Sequence, residues 1–287
     1  MVGKMDMPPR IVLKQYLNNA GENFMAKKFH IIANFKKYKY LLSQLVIKEI
    51  KLKYRRSYLG IVWTLIEPLL TMIVLTIVFS AFLGRDGIAD GLPFPVYILA
   101  GRLLYAFFSG STKGAMKSVR TSARMIKKVY IPKYMYPLSS ILANFLTFLI
   151  SLIVLVGVAI VMKVQPTWWM LGTIIPIIQL LIMCVGMGLL LATISVFFRD
   201  FEYLWGVALM LIMYTCAIFY ETSRLGESAW ILEMNPIYAV IKNFRNCICG
   251  VGFDAPSMIY ATVFGVVSLI LGVVLFYKKQ DDFILHL

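Results

Sequence analysis

The stretch Arg55–Gly84, RRSYLGIVWTLIEPLLTMIVLTIVFSAFLG, decides the class of this protein. Two arginines lead into an apolar run that ends at Leu83. The run is long enough for a helix rising about 1.5 Å per residue to cross about 30 Å of hydrocarbon. Yet Glu67 and Pro68 stand in the first turns of that helix. A helix that only anchored a protein would contain neither, so we expect the run to have a further role.

The composition places the whole chain in the membrane class. Hydrophobic residues make up 60% and charged residues 15% of the 287 residues, against about a quarter charged in soluble domains. The apolar runs are continuous rather than alternating, which favours helices over a transmembrane β-barrel. We therefore predict an all-α polytopic membrane protein with six transmembrane helices per subunit. The predicted spans are Gly60–Leu83, Pro95–Ser111, Tyr136–Met162, Leu171–Phe198, Leu204–Tyr220 and Ser257–Tyr277.

Lysine and arginine are sorted between the two sides of these spans. Thirteen precede the first span and seven lie between the second and third, whereas the loops of the opposite side hold five. The positive-inside rule therefore predicts that both termini are cytoplasmic. Because membrane topology explains where the cations lie, the net charge of +15 does not indicate a nucleic acid partner. Because the first apolar run begins only near residue 60, we expect no cleavable signal peptide.

The predicted organisation has three parts: a cytoplasmic N-terminus (1–59), a six-span domain (60–277) and a cytoplasmic tail (278–287). Within the N-terminus, the basic segment Lys27–Tyr54 has apolar residues at helical spacing. This pattern predicts an amphipathic helix along the inner membrane surface. A cytoplasmic helix packed on protein would have the same pattern. The apolar positions are Leu41, Leu42, Leu45, Val46 and Ile50.

The predicted cytoplasmic stretch Gly114–Pro137 carries six cations and no acid. Its first half is typical of a short helix, and Pro132 and Pro137 exclude a long one. The charge is explained either as a topology signal or as a docking surface for a cytoplasmic partner.

The predicted external segment Ser223–Gly252 is apolar, but Asn235–Pro236 and the glycines at its end interrupt it. Apolar helices too short to span predict re-entrant helices between spans five and six, which dip into the membrane and return. An amphipathic surface loop is the alternative.

The chain shows no set of residues for catalysis. It contains no G-x-x-x-x-G-K-[ST] phosphate loop, and its only histidines are His30 and His286. Cys247 and Cys249 have no further histidine or cysteine nearby, so we expect no metal site. These observations predict a protein that is not itself an enzyme and holds no cofactor.

Two helix faces carry the polar and aromatic residues within spans. Arg56, Gly60, Trp63 and Glu67 follow one another at spacings of four, three and four, and so share a face of span one. An intramembrane carboxylate should face a partner or a wet cavity, unless the span is shallow and the glutamate snorkels to the headgroups.

The second face is in span five. Tyr203, Met210 and Tyr214 share it. Aromatic rings with a polar group can stack on sugar rings while they donate hydrogen bonds. A packed helix interface is the alternative.

Four motifs in matching order resemble one family. The opening stretch is similar to the first span of ABC-2-type permeases that export polysaccharides such as O-antigen, capsule or teichoic acid. The resemblance covers about Lys48–Tyr277 and continues through IKKVYIPKYMYPLSS (126–140), FFRDFEYL (197–204) and NPIYAVIKNFR (235–245). One departure lies before the I-F-Y that ends span five, where the family often has proline and this chain has Ala217. Whether the helix is kinked at this position is therefore left undecided by the sequence.

The resemblance implies a homodimer in the bacterial inner (plasma) membrane, bound to two copies of a P-loop ATPase subunit that hold ATP and Mg²⁺. The implied substrate is a glycan on a polyprenyl diphosphate. The resemblance implies that Arg55 and Arg56 receive the substrate diphosphate, and that Asn235, Pro236 and Tyr238 form the external gate. The implied translocation path is lined by Tyr58, Trp63, Glu67, Tyr203, Met210, Tyr214, Phe219 and Tyr220. The implied ATPase coupling element is a helix Gly114–Arg124, and the coupling residues are Lys117, Arg120, Arg124, Lys127 and Lys128.

Three other functions compete with this one. An ABC-2 exporter of drugs or lipids would share the span count, although the 14% aromatic content favours glycans. A stand-alone channel or ion-coupled carrier would transport without an ATPase. A membrane-embedded glycan-modifying enzyme is disfavoured because catalytic acids are missing.

Overall fold

The structure, a computed structural model, describes residues 38–55, 57–83, 88–128, 131–220 and 230–283. The chain divides into two compact units, Met1–Leu45 and Val46–Leu287. In the first unit, the described residues 38–45 are helical; in the second, residues 46–54 are helical and form α1.

The described N-terminal helical residues have a buried and an exposed side, and their position along the membrane surface stays a prediction. Leu42, Leu45 and Val46 are buried, whereas Ile47 and Lys48 are exposed. The part of the predicted helix before residue 38 lies outside the described residues.

The rest of the second unit is predominantly helical. Its elements are a 3₁₀ turn Gly60–Val62, α2 (Trp63–Leu83), β1 (Ile88–Ala89), β2 (Leu92–Pro93), α3 (Phe94–Thr121), α4 (Ala123–Ile126), α5 (Met135–Val161), a 3₁₀ segment Trp168–Thr173, α6 (Ile174–Phe197), α7 (Phe201–Tyr214), α8 (Trp230–Glu233), α9 (Pro236–Cys249) and α10 (Ala255–Lys279). The two strands pair antiparallel, Ile88 with Pro93 and Ala89 with Leu92. Asp90 and Gly91, both at positive φ, turn the chain between them.

Four helical segments of the described chain are long and apolar enough to cross a membrane: Gly60–Ser80, Met135–Val161, Trp168–Phe197 and Ala255–Lys279. They coincide with the predicted spans one, three, four and six. Predicted span two differs from the expectation in composition, and predicted span five differs in length. The count of six spans therefore stays a prediction.

Predicted span two lies in α3, which is 28 residues long and contains Arg102, Lys113, Lys117 and Arg120. The helix continues past Ser111 because no proline follows until Pro132. The segment predicted as a separate helix, Gly114–Arg124, is therefore largely the end of α3, followed by the single turn α4.

Predicted span five ends earlier than expected. The helix α7 has 14 residues and stops at Tyr214 rather than at Tyr220. Its length of about 21 Å is short of the roughly 30 Å hydrocarbon core. The cause is a backbone break at Ala217, described below.

The helix α3 occupies the centre of the bundle. Val96, Tyr97, Ile98, Leu99 and Ala100 are all fully buried, so this part of the helix is covered on every side. It packs against α2, α5, α6, α7 and α9. The arginine inside this helix, Arg102, is half-buried.

The helices α6 and α10 cross at close range through glycine. A Cβ added to Gly186 would lie 2.5 Å from the backbone carbon of Ser268, and one added to Gly272 would lie 2.4 Å from the carbonyl oxygen of Gly186. Small residues of this kind let helix backbones approach each other closely in membrane proteins.

We name the two ends of the bundle by their elements. The α9 end is where α3, α6 and α10 begin and α2, α5 and α7 finish; the α4 end is opposite. The helices α8 and α9 confirm helical structure in the predicted segment between spans five and six. Residues 221–229 lie outside the described residues, and re-entry into the membrane stays a prediction.

Candidate functional site

The start of α2 is joined to α5 through a backbone carbonyl. Pro68 is the sixth residue of α2. It has no N–H, so the carbonyl of Thr64, four residues earlier, has no donor within its own helix. Ser151 of α5 donates to that oxygen at 2.9 Å. Proline at this position therefore leaves free an acceptor that connects two helices, which gives Pro68 a structural role.

Glu67 lies at a cavity of about 200 Å³ between the end of α1, α2, α3 and α5. We call it the polar cavity. Its charged lining residues are Lys53, Glu67 and Arg102, and Tyr54 and Asn144 lie beside them. Burial and the negative charge of Glu67 raise the pKa of Tyr54 above its usual value. The Glu67 carboxylate therefore borders a cavity with charged and polar lining residues, and the hydration of this cavity stays a prediction.

The hydroxyl groups of the two α2 threonines in this cavity are already used as donors. Thr64 donates to Ile61 O at 2.7 Å, and Thr71 donates to Glu67 O at 2.7 Å. Asn144 donates from Nδ2 to Ser140 O at 2.9 Å. Among the described residues, neither Glu67 nor Arg102 forms a salt bridge within 4.0 Å. The two charged groups therefore remain available to water or to a ligand.

Most residues predicted for the translocation path are exposed in the single chain. Tyr58 and Trp63 are exposed at the start of α2, and Tyr203, Met210 and Tyr214 form one exposed face of α7. Glu67 is exposed on the same side of α2 as Trp63. Large exposed side chains of this kind on each helix are surface available to a partner chain or a substrate.

The two remaining path residues have packing roles. The ring of Phe219 stacks on Phe79 of α2, with centroids 5.2 Å apart and planes 5° apart. The hydroxyl of Tyr220 donates to Tyr214 O. The chain beyond α7 therefore folds back on its own helix and touches α2.

The predicted diphosphate and coupling residues lie toward the α4 end. Arg55 is exposed, and Arg56 lies outside the described residues. Lys117 and Arg120 of α3 form ion pairs with Glu202 of α7, the lysine at 3.6 Å. The other predicted coupling cations are exposed at α4 and just after it: Arg124, Lys127 and Lys128.

Asn235 connects the start of α9 to the end of α7. Its Oδ1 accepts from the backbone N–H of Ile237 at 3.0 Å, which caps α9. Its Nδ2 donates to Thr215 Oγ1 at 2.8 Å. Pro236 occupies the first position of α9, where a missing N–H costs nothing, and Tyr238 is buried.

A buried arginine holds the break at the end of α7. Arg245 of α9 donates from Nη1 to Ala217 O at 3.0 Å and from Nη2 to Tyr97 O at 2.9 Å. The hydroxyl of Tyr97 also donates to Ala217 O, at 3.1 Å. We call this set of contacts the arginine bridge. Gly101 leaves room for it, because an added Cβ would lie 2.5 Å from Nη2 of Arg245.

The arginine bridge resolves the question about span five. Ala217 has φ of 46°, a left-handed conformation that is strained for a residue with a side chain. No proline is needed, since donors from α3 and α9 fix the Ala217 carbonyl in this orientation. The chain therefore does break where the family often has proline, by a different means.

The chain matches the ABC-2 type transporter family over residues 40–249. The chain belongs to this family. The match includes the polar cavity, α7, Asn235 and the arginine bridge. It identifies the protein as a multi-pass membrane permease of the ABC-2 type.

Curated ABC-2 relatives include O-antigen export system permease protein RfbA of Klebsiella pneumoniae. It is 27% identical over 251 residues, covering 85% of this chain and 95% of the relative. RfbA of Myxococcus xanthus is 27% identical over 218 residues, covering 75% and 82%. Polysialic acid transport protein KpsM of Escherichia coli is 22% identical over 261 residues, covering 87% and 97%.

Sequence reasoning assigned no role to four residues that build this ABC-2 site: Tyr97, Arg102, Ser151 and Arg245. Arg102 was detectable as the charge inside a predicted span, since intramembrane charges mark functional or pairing sites. Ser151 had no signal, because a serine in an apolar helix most often bonds within its own turn. Arg245 appeared as part of a motif, but its partners are backbone carbonyls, which no sequence displays.

Proposed function

We propose that the chain is the permease subunit of an ATP-driven exporter that moves a polysaccharide from the cytoplasm across the inner membrane. The observation that carries this proposal is the end-to-end similarity to O-antigen export permeases, which covers 95% of the first relative's length. The exposed aromatic face of α7 supports it, because tyrosine rings stack on sugars while their hydroxyl groups donate hydrogen bonds.

The working assembly in this proposal is a homodimer with two P-loop ATPase subunits, which bind ATP and Mg²⁺. The substrate is a glycan linked to a polyprenyl diphosphate. The positive-inside rule orients the α4 end and both termini to the cytoplasm and the α9 end to the outside.

The path in this proposal runs along the exposed faces of α2 and α7. Trp63, Tyr203 and Tyr214 contact sugars, and the substrate diphosphate is received near Arg55 and Arg56, since arginine matches phosphate oxygens well. The polar cavity hydrates Glu67 beside this path. Asn235 and the arginine bridge hold the external gate.

Coupling to the ATPase takes place at α4. Arg124, Lys127 and Lys128 are exposed there, and no acidic residue lies near them in sequence. They therefore form the surface that contacts the ATPase. Lys117 and Arg120 act differently, because Glu202 pairs with both. They transmit a displacement of α4 to the start of α7.

The first experiment is a mild-detergent pull-down of the tagged chain from its native membrane, with mass spectrometry of proteins and lipids. We expect a stoichiometric P-loop ATPase and a polyprenyl-linked glycan. A chain recovered without an ATPase would overturn the exporter and favour a channel or carrier. An ATPase without any glycan dependence would favour export of a drug or lipid.

A second experiment tests the sugar face. Tyr203→Ala combined with Tyr214→Ala should reduce surface polysaccharide severalfold, with normal assembly. Val207→Ala combined with Leu211→Ala is the matched control, because both residues are exposed on α7 but offer no ring. Glu67→Gln should likewise weaken export more than assembly; an equal loss of both would assign Glu67 a structural role.

A further inference from the structure

A second cavity, lined almost entirely by apolar side chains, lies at the α9 end between α3, α5, the start of α6 and α9. Its volume is about 510 Å³, within the roughly 300–1,000 Å³ that ligand pockets occupy. We call it the apolar cavity. Its lining includes Leu155, Val156, Ala159, Ile160, Phe244 and Ile248.

Nothing in the lining requires water. The one hydroxyl, of Thr173, donates to Met170 O at 2.7 Å and so already has its acceptor. A water molecule needs two to four polar partners, and apolar cavities without such partners stay dry. A polar ligand is disfavoured for the same reason.

The cavity opens on the exposed side of α5. Its floor is formed by buried residues, Leu155, Phe244 and Ile248, whereas its rim at Val156 and Ile160 is exposed, the latter at 71%. Val156 and Ile160 belong to a candidate membrane span. With this span in a bilayer, hydrocarbon borders the rim, and the group that can enter without desolvation cost is an alkyl chain.

A cation adjoins the lining of the apolar cavity in sequence. Lys163 follows α5, directly before the lining residue Val164, and it is exposed. Among the described residues no carboxylate lies within salt-bridge distance of it. Trp168 is 88% exposed a few residues further on. Lysine and tryptophan together are typical of the headgroup level of a bilayer.

We propose that the apolar cavity binds one membrane phospholipid, with an acyl chain between α5 and α9 and its phosphate on Lys163. Charge complementarity selects this occupant over an uncharged alkyl ligand. The lipid then supports α9 on a face next to that of the arginine bridge, because Phe244 lines the cavity and Arg245, the next residue, contacts Tyr97 and Ala217.

Lipid retention tests the proposal on the complete exporter, purified with its native partner subunits. Phospholipid that survives detergent exchange is counted by mass spectrometry. Ala159→Phe fills the cavity and should remove one phospholipid per chain. Ile153→Phe is the matched control, because Ile153 is exposed on the same helix but does not line the cavity. Lys163→Gln should weaken retention severalfold. Equal retention by wild type and Ala159→Phe would overturn the proposal.

A second measurement does not depend on how the variants fold. Wild-type exporter is reconstituted in nanodiscs of phosphatidylglycerol with brominated acyl chains, and its structure is determined. Bromine density inside the apolar cavity, with the phosphate at Lys163, is the expected result. An empty cavity, detergent alone or a polyprenyl chain in that place would each overturn the assignment.

Discussion

Ser151 Oγ lies 2.9 Å from the carbonyl oxygen of Thr64, the acceptor that Pro68 leaves without a helical donor. The serine proton is shared with Thr147 O of its own helix at 3.0 Å. A proline on one helix is thus matched by a hydroxyl on another. In a membrane, where water does not satisfy a free carbonyl, such a match sets the position of α2 against α5.

The contact predicts a coupled pair of substitutions. Ser151→Ala should lower the free energy of unfolding by about 1–3 kcal/mol, because Thr64 O then has no donor. In a Pro68→Ala background the cost should fall, since the substituted alanine supplies the helical N–H that proline lacks. A double-mutant cycle on the purified chain in detergent measures this coupling.

Ser139→Ala is the control for that cycle. Ser139 is buried in α5 as well, but donates to Tyr136 O within its own helix at 2.9 Å. Its cost should not depend on Pro68. Additive effects of Ser151→Ala and Pro68→Ala would show that the two positions are independent.

The arginine bridge makes a prediction about chemical accessibility. Lysine has no planar fork and cannot donate to Ala217 O and Tyr97 O in the same geometry. Arg245→Lys should therefore cost about 1.5–3 kcal/mol, the value of a hydrogen bond to a charged group. It should also release the break at Ala217 and expose Cys216, which is fully buried in the wild type.

Maleimide labelling of Cys216 measures this release in a chain whose other cysteines are replaced by serine. We expect faster labelling in Arg245→Lys. The control is Lys242→Gln, which alters a neighbouring cation of α9 that does not contact Ala217. Unchanged labelling in Arg245→Lys would mean that Tyr97 alone maintains the break.

A substitution at Gly101 tests the backbone break at Ala217 independently. An added Cβ would lie 2.5 Å from Nη2 and 3.3 Å from Cζ of Arg245. Gly101→Ala should therefore displace the guanidinium and raise Cys216 labelling, although Arg245 is intact. A wild-type labelling rate in Gly101→Ala would indicate that the side chain of Arg245 adapts without loss of its two hydrogen bonds.

The spans that sequence predicted well are the long, continuously apolar helices. The helices α2, α5, α6 and α10 are apolar over most of their length, and hydropathy reports that directly. The helix α3 was predicted too short, because its charged second half continues the same helix toward the α4 end. Hydropathy marks where lipid ends, not where a helix ends.

The end of α7 was predicted six residues too late for a different reason. Residues 215–220 are as apolar as the helix before them, so no local signal marks a stop. The break depends on donors from Tyr97 and Arg245, which are more than 25 residues away in either direction. Long-range hydrogen bonds to backbone carbonyls leave no periodic trace in a sequence.

The crossing of α6 and α10 predicts that Gly186 tolerates no side chain. A Cβ there would lie 2.4 Å from the backbone nitrogen of Leu269, and a backbone atom cannot yield as a flexible side chain can. Gly186→Ala should therefore sharply reduce the yield of folded protein on gel filtration. Gly157→Ala in α5 is the control, because an added Cβ there meets nothing within 4 Å. A normal yield for Gly186→Ala would place the two helices further apart.

The connection between α9 and α10 predicts a loss of stability in acid. Lys242 donates to Asp254 Oδ2 at 2.9 Å, and Ser257 donates to the same oxygen. The Ser257 and Lys242 hydrogen bonds lower the pKa of Asp254 below its usual value. The contribution to stability is therefore complete above the unfolded pKa of about 3.9. It is lost as the pH falls through the lower folded pKa.

Thermal unfolding between about pH 3 and pH 7 measures this loss. Asp254→Asn should lower the midpoint at neutral pH and flatten the decline below about pH 4, because asparagine does not titrate. Asp281→Asn is the control, since Asp281 is exposed in the segment after α10. The backbone N–H of Asp254 donates to Asn243 Oδ1 at 2.8 Å and would remain in the variant. If Asp254→Asn kept the wild-type acid profile, the pH dependence would arise from other carboxylates and the link between α9 and α10 would be insensitive to charge.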